Sequence, residues 1–489
     1  MNEPNPTQPL QQPNPTVPVN QNIFTSGQNV QDPSTRGLAQ DDKNRIIQNV
    51  AGPKSFGGKK ILIALGAVVL ILIILLIGKA LFTKVNQNKN VTLTWWNTTL
   101  DQAAVNPIIQ EFEQQNPNVT INFESQSQTD YRIRLANALQ QGKGPDIFEI
   151  HNSWMPMFIN SLSPSNTDFS NDFYAIVGSN FKVNNKFYAA PLSYDGIALF
   201  VNQDILQSYG KTAPKTWDDF VNLAQSLTLR DASGNITQAG AAIGTTSNID
   251  YWQDIFATLA LQNGVNLNQP NSTNGESALT FYTKFSNIYH VWDDTLPQST
   301  LDFENGKLAM YFGKYTDAET IRKQFPNLHF EIVPVPQLPS DASTIPSVSY
   351  ASYFADAVSK QSANSSMAWK FLQFLTTQQT LQELNKNEQQ TRGYGIIYPR
   401  ADMQNVQLTD QTASAFAYQA SFAQSWYLAD KTFDGDSGIN SQVAKAYSDA
   451  IDAANGNSGG NGAIATAQTA LQLILASYGL VAPVPSSTP

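Results

Sequence analysis

No cysteine occurs in the 489 residues, which excludes disulfides, thiolate catalysis, cysteine-ligated zinc and a lipid anchor on a cysteine. Histidine is scarce: the three present, His151, His290 and His329, show no metal-ligand spacing. Basic residues are in deficit, with 29 Lys and Arg against 39 Asp and Glu and a formal net charge of -10. Phosphate backbones are held by clustered Lys and Arg, so nucleic acid is not an expected partner. No P-loop pattern is found. Asp434-Gly435-Asp436-Ser437-Gly438 starts like a calcium loop, yet Lys445 stands where the bidentate acid belongs, so a turn is expected there. No catalytic constellation closes, so catalytic residues, a cofactor and a metal are not expected.

What is present begins with one long apolar run. Ile61 to Gly78 carries no charged or strongly polar side chain, and Ile61 to Phe82 is long enough to cross a hydrocarbon core of about 30 Å as a helix. It shows no polar stripe, unlike a core helix of a soluble protein. It is longer than a signal-peptide apolar region and lies far from the amino terminus. Residues 61–82 are therefore expected to be an uncleaved transmembrane anchor. Lys43, Arg45, Lys54, Lys59 and Lys60 precede it and Lys79, Lys84 and Lys89 follow, which puts the amino terminus in the cytoplasm and the large carboxyl-terminal part outside. Residues 1–60 are rich in Pro, Asn and Gln, too poor in apolar residues to repay ordering, and are expected to be a disordered cytoplasmic tail. Residues 83–90 read as a short polar linker, and 482–489 as a second disordered tail.

From Val91 the pattern alternates between periods. Val91 to Trp96 is β-rich, Val105, Ile108, Ile109 and Phe112 recur at helical spacing, and Val119, Ile121 and Phe123 alternate. A helix from about Tyr131 to Gln141 ends at Gly142, and the apolar run Ile147 to Ile150 follows. This β-α-β-α-β order predicts an α/β fold with a mainly parallel sheet, whose ligands lie beyond the carboxyl ends of the strands. Those ends are Trp95-Trp96-Asn97 and His151-Asn152-Ser153-Trp154. Further on, Thr216 with Asp219 makes a capping box, so Asp218 and Asp219 serve a helix start rather than catalysis. Two helices are expected near 441–454 and 463–478, separated by the flexible NGNSGGNG.

The pieces TLTWWNTT, FEQQNPNVTINFE, GKGPDIFEIHNSW, KFYAAPLSYDGIALFVNQDIL, PKTWDDFVNLAQSLT, FENGKLAMYFG, FEIVPVPQLP, YASYFADAVSKQS and MAWKFLQFLT follow one another between about Val91 and Thr376. In this order they resemble the extracellular solute-binding proteins of ATP-binding-cassette importers, in the sugar-binding branch that includes maltose-binding protein. The resemblance implies a two-lobed periplasmic-binding-protein-like fold with a hinge and an interlobe cleft. By that analogy residues 91–195 and 340–388 form lobe 1, and residues 196–339 and 389–481 form lobe 2. The implied partners are a carbohydrate and the permease subunits of an importer in the cell membrane, with this chain tethered through residues 61–82. An amino-terminal span behind a long tail departs from the family's usual cleaved signal or lipidated cysteine.

A sugar site needs flat apolar faces for pyranose C–H groups and side chains that hydrogen-bond adjacent hydroxyls. The aromatic candidates are Trp96, Trp154, Tyr194, Trp252, Tyr315, Tyr350 and Trp426, with Trp95 and Tyr251 behind them; the polar ones are Asn97, Glu149, His151, Asn152 and Asp195, with Gln253 behind them. Strand alternation sends Trp95 and Trp96 to opposite sides, so at least one of them is core. Trp217 and Trp369 sit among helical core residues and are assigned to packing. Two alternatives remain open at this stage: a ligand-sensing ectodomain of the same fold without transport, and a receptor for a peptide or polyamine.

Overall fold

A computed structural model describes residues 90–339, 346–456 and 462–482, together with Ile71 and Ile73. The chain divides into two compact units, Met1–Gly78 and Lys79–Pro489. Of the first, Ile71 and Ile73 are described, and both are helical. The rest of the expected anchor 61–82, the amino tail, residues 83–89 of the linker and most of the carboxyl tail lie outside the described residues. Among the described residues no helix is long and apolar enough to cross a membrane.

The second unit has two lobes, each built on its own sheet. In the first, Val119–Ser125, Val91–Asn97 and Ile147–His151 run parallel in that order. Phe354–Ser359 adds antiparallel to Ile147–His151, and Leu162–Ser163 and Ala189–Ala190 add to it. The sheet is thus mixed, with a strand from much later in the chain inserted beside an early one. Its buried side chains follow the sequence pattern: Val119, Ile121 and Phe123 face the core, as do Ala104, Val105, Ile108, Ile109 and Phe112 of helix Gln102–Gln115. Trp95 is wholly buried, edge-on to Phe123 and Phe371, while Trp96 is half-buried. Trp369, on Ser365–Leu375, belongs to the same core.

The second sheet is antiparallel, with Ala198–Asn202 between Met310–Gly313 and Phe330–Val333. Helix Trp217–Leu227 packs Trp217 and Phe220 on Phe312 of this sheet and starts with the expected Thr216–Asp219 capping box. Ile439–Asn455 and Ala463–Ser477 pair with each other and pack on Thr273–Asn287, close to the sequence-predicted bounds.

Three segments pass between the lobes. Tyr194 bridges Ile397, and Gly196 bridges Ala351, so residues near 194–196, 350–352 and 395–397 run side by side. A Cβ on Gly196 would lie 2.4 Å from the Tyr350 carbonyl oxygen. Glycine is what permits the two crossing backbones to approach that closely.

Candidate ligand-binding site

A cavity of about 540 Å³ lies between the lobes, open on one side. The first lobe contributes Thr98, Thr99, Gln126, Gln128 and His151 from beyond the carboxyl ends of its parallel strands. The crossing segments contribute Ser193, Tyr194, Asp195, Ser352, Tyr353 and Ile397. The second lobe adds Tyr251, Lys314, Tyr315 and Thr316, and the segment before Ile439–Asn455 adds Lys431 and Phe433. Arg392 and Tyr394 close another side, with the guanidinium 4.2 Å from the Tyr394 ring centroid.

The floor is a buried charged cluster. The Lys314 ammonium lies 3.5 Å from an Asp254 oxygen, with their side chains 8% and 0% exposed, and donates to the Ser352 hydroxyl at 3.4 Å. Burial disfavours both charges, yet the lysine is held above its usual range because Asp254, Asp195, Asp430 and Asp317 all face it. Asp254 and Asp195 share that ammonium, so loss of water prevails for these two acids. Asp254 is raised to about 7 and Asp195 to about 6. Asp195 is half-buried at the cavity wall and accepts from the Gly196 amide at 2.8 Å. His151, pushed well down by burial and next by Lys314, is a neutral imidazole between the hydroxyls of Ser153 at 2.6 Å and Ser352 at 3.1 Å.

A second acidic pair supports the floor from beneath. Glu149 and Asp356 face each other across adjacent strands, and both are buried. Glu149 accepts from the Thr98 amide at 2.8 Å and from the hydroxyls of Thr98 and Thr99. Asp356 accepts from the Trp95 indole at 2.7 Å and is raised to about 8, first by burial and next by Glu149. Burial raises Glu149 as well, against the hydrogen bonds from Thr98, Thr99 and Asn97 that favour its charged form, so of the two adjacent acids Asp356, with fewer donors, holds a proton at neutral pH.

Of the twelve sequence-derived candidates, His151, Tyr194, Asp195 and Tyr315 line the cavity. The others are placed elsewhere. Glu149 holds the Thr98–Thr99 turn, and Asn97 accepts from the Thr99 and Leu100 amides. Asn152 accepts from the Tyr353 amide at 3.1 Å. Trp154 is wholly buried beside Tyr131 and Phe158, and Trp252 is buried at the start of its helix. The Tyr350 hydroxyl lies 2.8 and 2.7 Å from the carbonyls of Trp426 and Leu428, which share its one proton, and the Trp426 indole donates to Asn268 at 3.0 Å. Trp96 packs against the core. Of the reserve candidates, Tyr251 lines the cavity, whereas Trp95 is core. By the family resemblance Gly313-Lys314-Tyr315 is a strand end facing the cleft, though Lys314 is not among the named contacts; Arg392, Lys431 and Phe433 were missed. Arg392 ends the helix Gln378–Arg392, and Lys431 and Phe433 lie in an irregular segment that has no motif.

Asp434-Gly435-Asp436-Ser437-Gly438 is a turn, as its sequence suggests. Asp434 accepts from the Asn440 amide and the Ser441 hydroxyl, both at 2.7 Å, and Lys445 pairs with Asp449.

Comparison with known proteins accords with this geometry. A multiple sugar-binding protein of Streptococcus mutans is 26% identical over 156 residues, covering 30% of this chain and 36% of that protein. The match thus spans little more than a third of that relative's length. Among solved structures, a cyclic alpha-maltosyl-1,6-maltose binding protein from Arthrobacter globiformis superimposes with a TM-score of 0.65 at 16% identity, covering 79% of this chain and 99% of that one. The sugar-binding protein MalE from Xanthomonas citri superimposes with a TM-score of 0.63 at 18% identity, covering 79% and 98%. At such identities these structures establish the two-lobed fold. Residues 95–382, more than half of the chain, match the profile of a single family, and the protein belongs to that family, the bacterial extracellular solute-binding proteins.

Proposed function

We propose that the protein is the membrane-anchored extracellular substrate-binding subunit of an ATP-binding-cassette importer, which takes an oligosaccharide into the interlobe cleft and delivers it to a permease. The observation that carries this reading is the cavity itself. Its lining alternates flat aromatic faces (Tyr194, Tyr251, Tyr315, Tyr394, Phe433) with hydroxyl, amide and charged groups, the combination that pyranose rings require. Relatives described as sugar-binding support it.

In this proposal lobe 1 comprises residues 91–195 and 340–388, lobe 2 comprises residues 196–339 and 389–481, and the crossings near 194–196, 350–352 and 395–397 are the hinge. His151, Tyr194, Asp195 and Tyr315 touch the ligand directly, while Asn97, Glu149 and Asn152 position the backbone around it. A ligand touching both lobes stabilises their closed arrangement, which the permease recognises. Residues 61–82 tether the receptor beside its transporter, with the amino tail in the cytoplasm, and raise its local concentration there.

The test is a thermal-shift series on the purified full chain with linear and cyclic glucans, mannans and, as controls, peptides and polyamines. Saccharides should raise the melting temperature, and tighter scattering dimensions should accompany binding. A rise with peptide or polyamine alone would refute the carbohydrate assignment. For the tether, cell fractionation with an alkaline wash should leave the chain in the membrane pellet, and deletion of residues 61–82 should release it.

A further inference from the structure

The segment from Asp430 to Gly438 lies beyond the stretch matched by the family, and its backbone is unusual. Lys431 and Phe433 have φ of 50° and 54°, and Gly435 has φ of 69°. Bulky residues seldom occupy this left-handed region, and where they do the surroundings must hold them there. The means of holding are visible. At one end the Asp430 amide donates to Asp254 at 3.0 Å. At the other, Asp434 folds back to cap Ile439–Asn455, and a Cβ on Gly438 would lie 2.0 Å from the Asp434 carboxyl carbon. In between, Lys431 and Phe433 face the cavity. The Lys431 ammonium donates to the Tyr251 hydroxyl and sits 4.1 Å from that ring's centroid. Phe433 is 37% exposed and has no ring partner among the described residues.

The opposite lobe grips the same segment. Arg132, in the first turn of Tyr131–Gln140, donates through Nε to the Asp434 carbonyl and through a terminal nitrogen to the Ser437 hydroxyl at 2.9 Å. Ile133 beside it would touch a Cβ on Gly435 at 3.3 Å. These contacts join the lobes away from the three hinge crossings.

We infer that residues 430–438 form a specificity strap, in which Phe433 is an aromatic platform for the ligand and Arg132 holds the strap across the cleft from the facing lobe. The inference rests on the saccharide reading for the nature of the ligand, but not for the latch. An exposed phenyl ring held in a strained backbone at a cavity wall presents a flat apolar face at fixed orientation, which suits a pyranose ring. Lys431 and Tyr251, hydrogen-bonded to each other and lining the same cavity, set the depth to which a ring can enter.

Two measurements on the full chain test this. Calorimetric titrations with maltotetraose, mannotriose and a cyclic maltosyl-maltose compare wild type with Phe433→Ala and Phe433→Tyr. For whichever sugar binds, the alanine variant should lose about tenfold in affinity, from the value of an aromatic face, and the tyrosine variant should recover it. Equal affinity of wild type and Phe433→Ala for every bound sugar would overturn the platform. Hydrogen exchange in ligand-free protein then compares wild type with Arg132→Met: amides of 431–437 should exchange at least several-fold faster, and unchanged protection would overturn the latch. If wild type binds none of the three sugars, the saccharide reading fails while the exchange result still decides the strap.

Discussion

Replacing Lys314 by methionine removes the ammonium that faces Asp254, Asp195, Asp317 and Asp430 together, leaving Lys431 beside Asp430. Asp254 is the most exposed to this loss in the energetic sense: its side chain is fully buried, one oxygen accepts from the Asp430 amide at 3.0 Å, and the other has the ammonium at 3.5 Å but no hydrogen bond. Breaking a buried pair from one side costs about 3 to 5 kcal/mol. With about 2.1 cal/mol/K of unfolding entropy per residue in a unit of roughly 400 residues, that is a fall in Tm of about 4 to 6 °C. The loss must depend on pH. Asp254 and Asp195 have folded-state values near 7 and 6, above the ordinary 3.8. The folded chain therefore binds more protons than the unfolded chain between about pH 4 and pH 7, and the stability these groups lend at low pH declines as pH rises through that window. At pH 8 both acids are ionised and the methionine variant should show the full loss. At pH 5 both are protonated and leave no uncompensated charge of their own, so the loss should be clearly smaller than at pH 8. Lys314→Met with Asp254→Asn should recover at least half of the pH 8 deficit, read as a double-mutant cycle by chemical and thermal denaturation. Equal losses at pH 5 and pH 8, or no rescue by Asp254→Asn, would refute the assignment of this cluster as a shared-ammonium site.

Glu149→Gln should lower the Asp356 value from about 8 toward, though not to, the ordinary carboxylate range, because burial outranks Glu149 among its causes; carboxyl carbon NMR titration reads this directly. The same variant weakens the acceptor that holds Thr98 and Thr99, so ligand affinity should drop several-fold, and an unchanged affinity would mean that the turn is held otherwise. Gly196→Ala forces a methyl to within 2.4 Å of the Tyr350 oxygen and should cost about 1 to 3 kcal/mol by overpacking, with scattering dimensions displaced from wild type; an unaltered midpoint in urea would show that the crossings yield freely. Thr216→Ala removes one half of a capping box and should cost about 1 kcal/mol, a local loss that leaves ligand affinity intact in the same titrations.

Much of the fold was legible because local periodicity and burial agree. The helix carrying Val105, Ile108, Ile109 and Phe112 and the strand carrying Val119, Ile121 and Phe123 bury the residues their spacing selects. Thr216 and Asp219 declare a helix start whatever surrounds them, since the capping bonds close within four residues. The site was less legible for a physical reason. Asn97 and Asn152 occur at strand ends and Glu149 within a short strand close to one, where polar residues reach either the ligand or the backbone that shapes its pocket, and sequence does not distinguish these. Trp154, Trp252 and Tyr350 have the right chemistry for a sugar platform, yet aromatic rings at the base of a cleft serve equally well as its core.

By itself, the sequence determined the strand-helix alternation of the first lobe, the caps, the lack of thiol chemistry and the apolar run at 61–82, because each depends on residues close together in the chain. Only the tertiary structure decided that Phe354–Ser359 enters the first sheet beside Ile147–His151, that Lys314 meets Asp254, Asp195 and Asp430, and that Arg132 grips the segment holding Phe433. Those encounters join residues far apart in the chain, and their energies come from burial that exists once both lobes have folded. A lone lysine, three scattered aspartates and a phenylalanine in a turn carry no mark of one another until packing excludes the water between them.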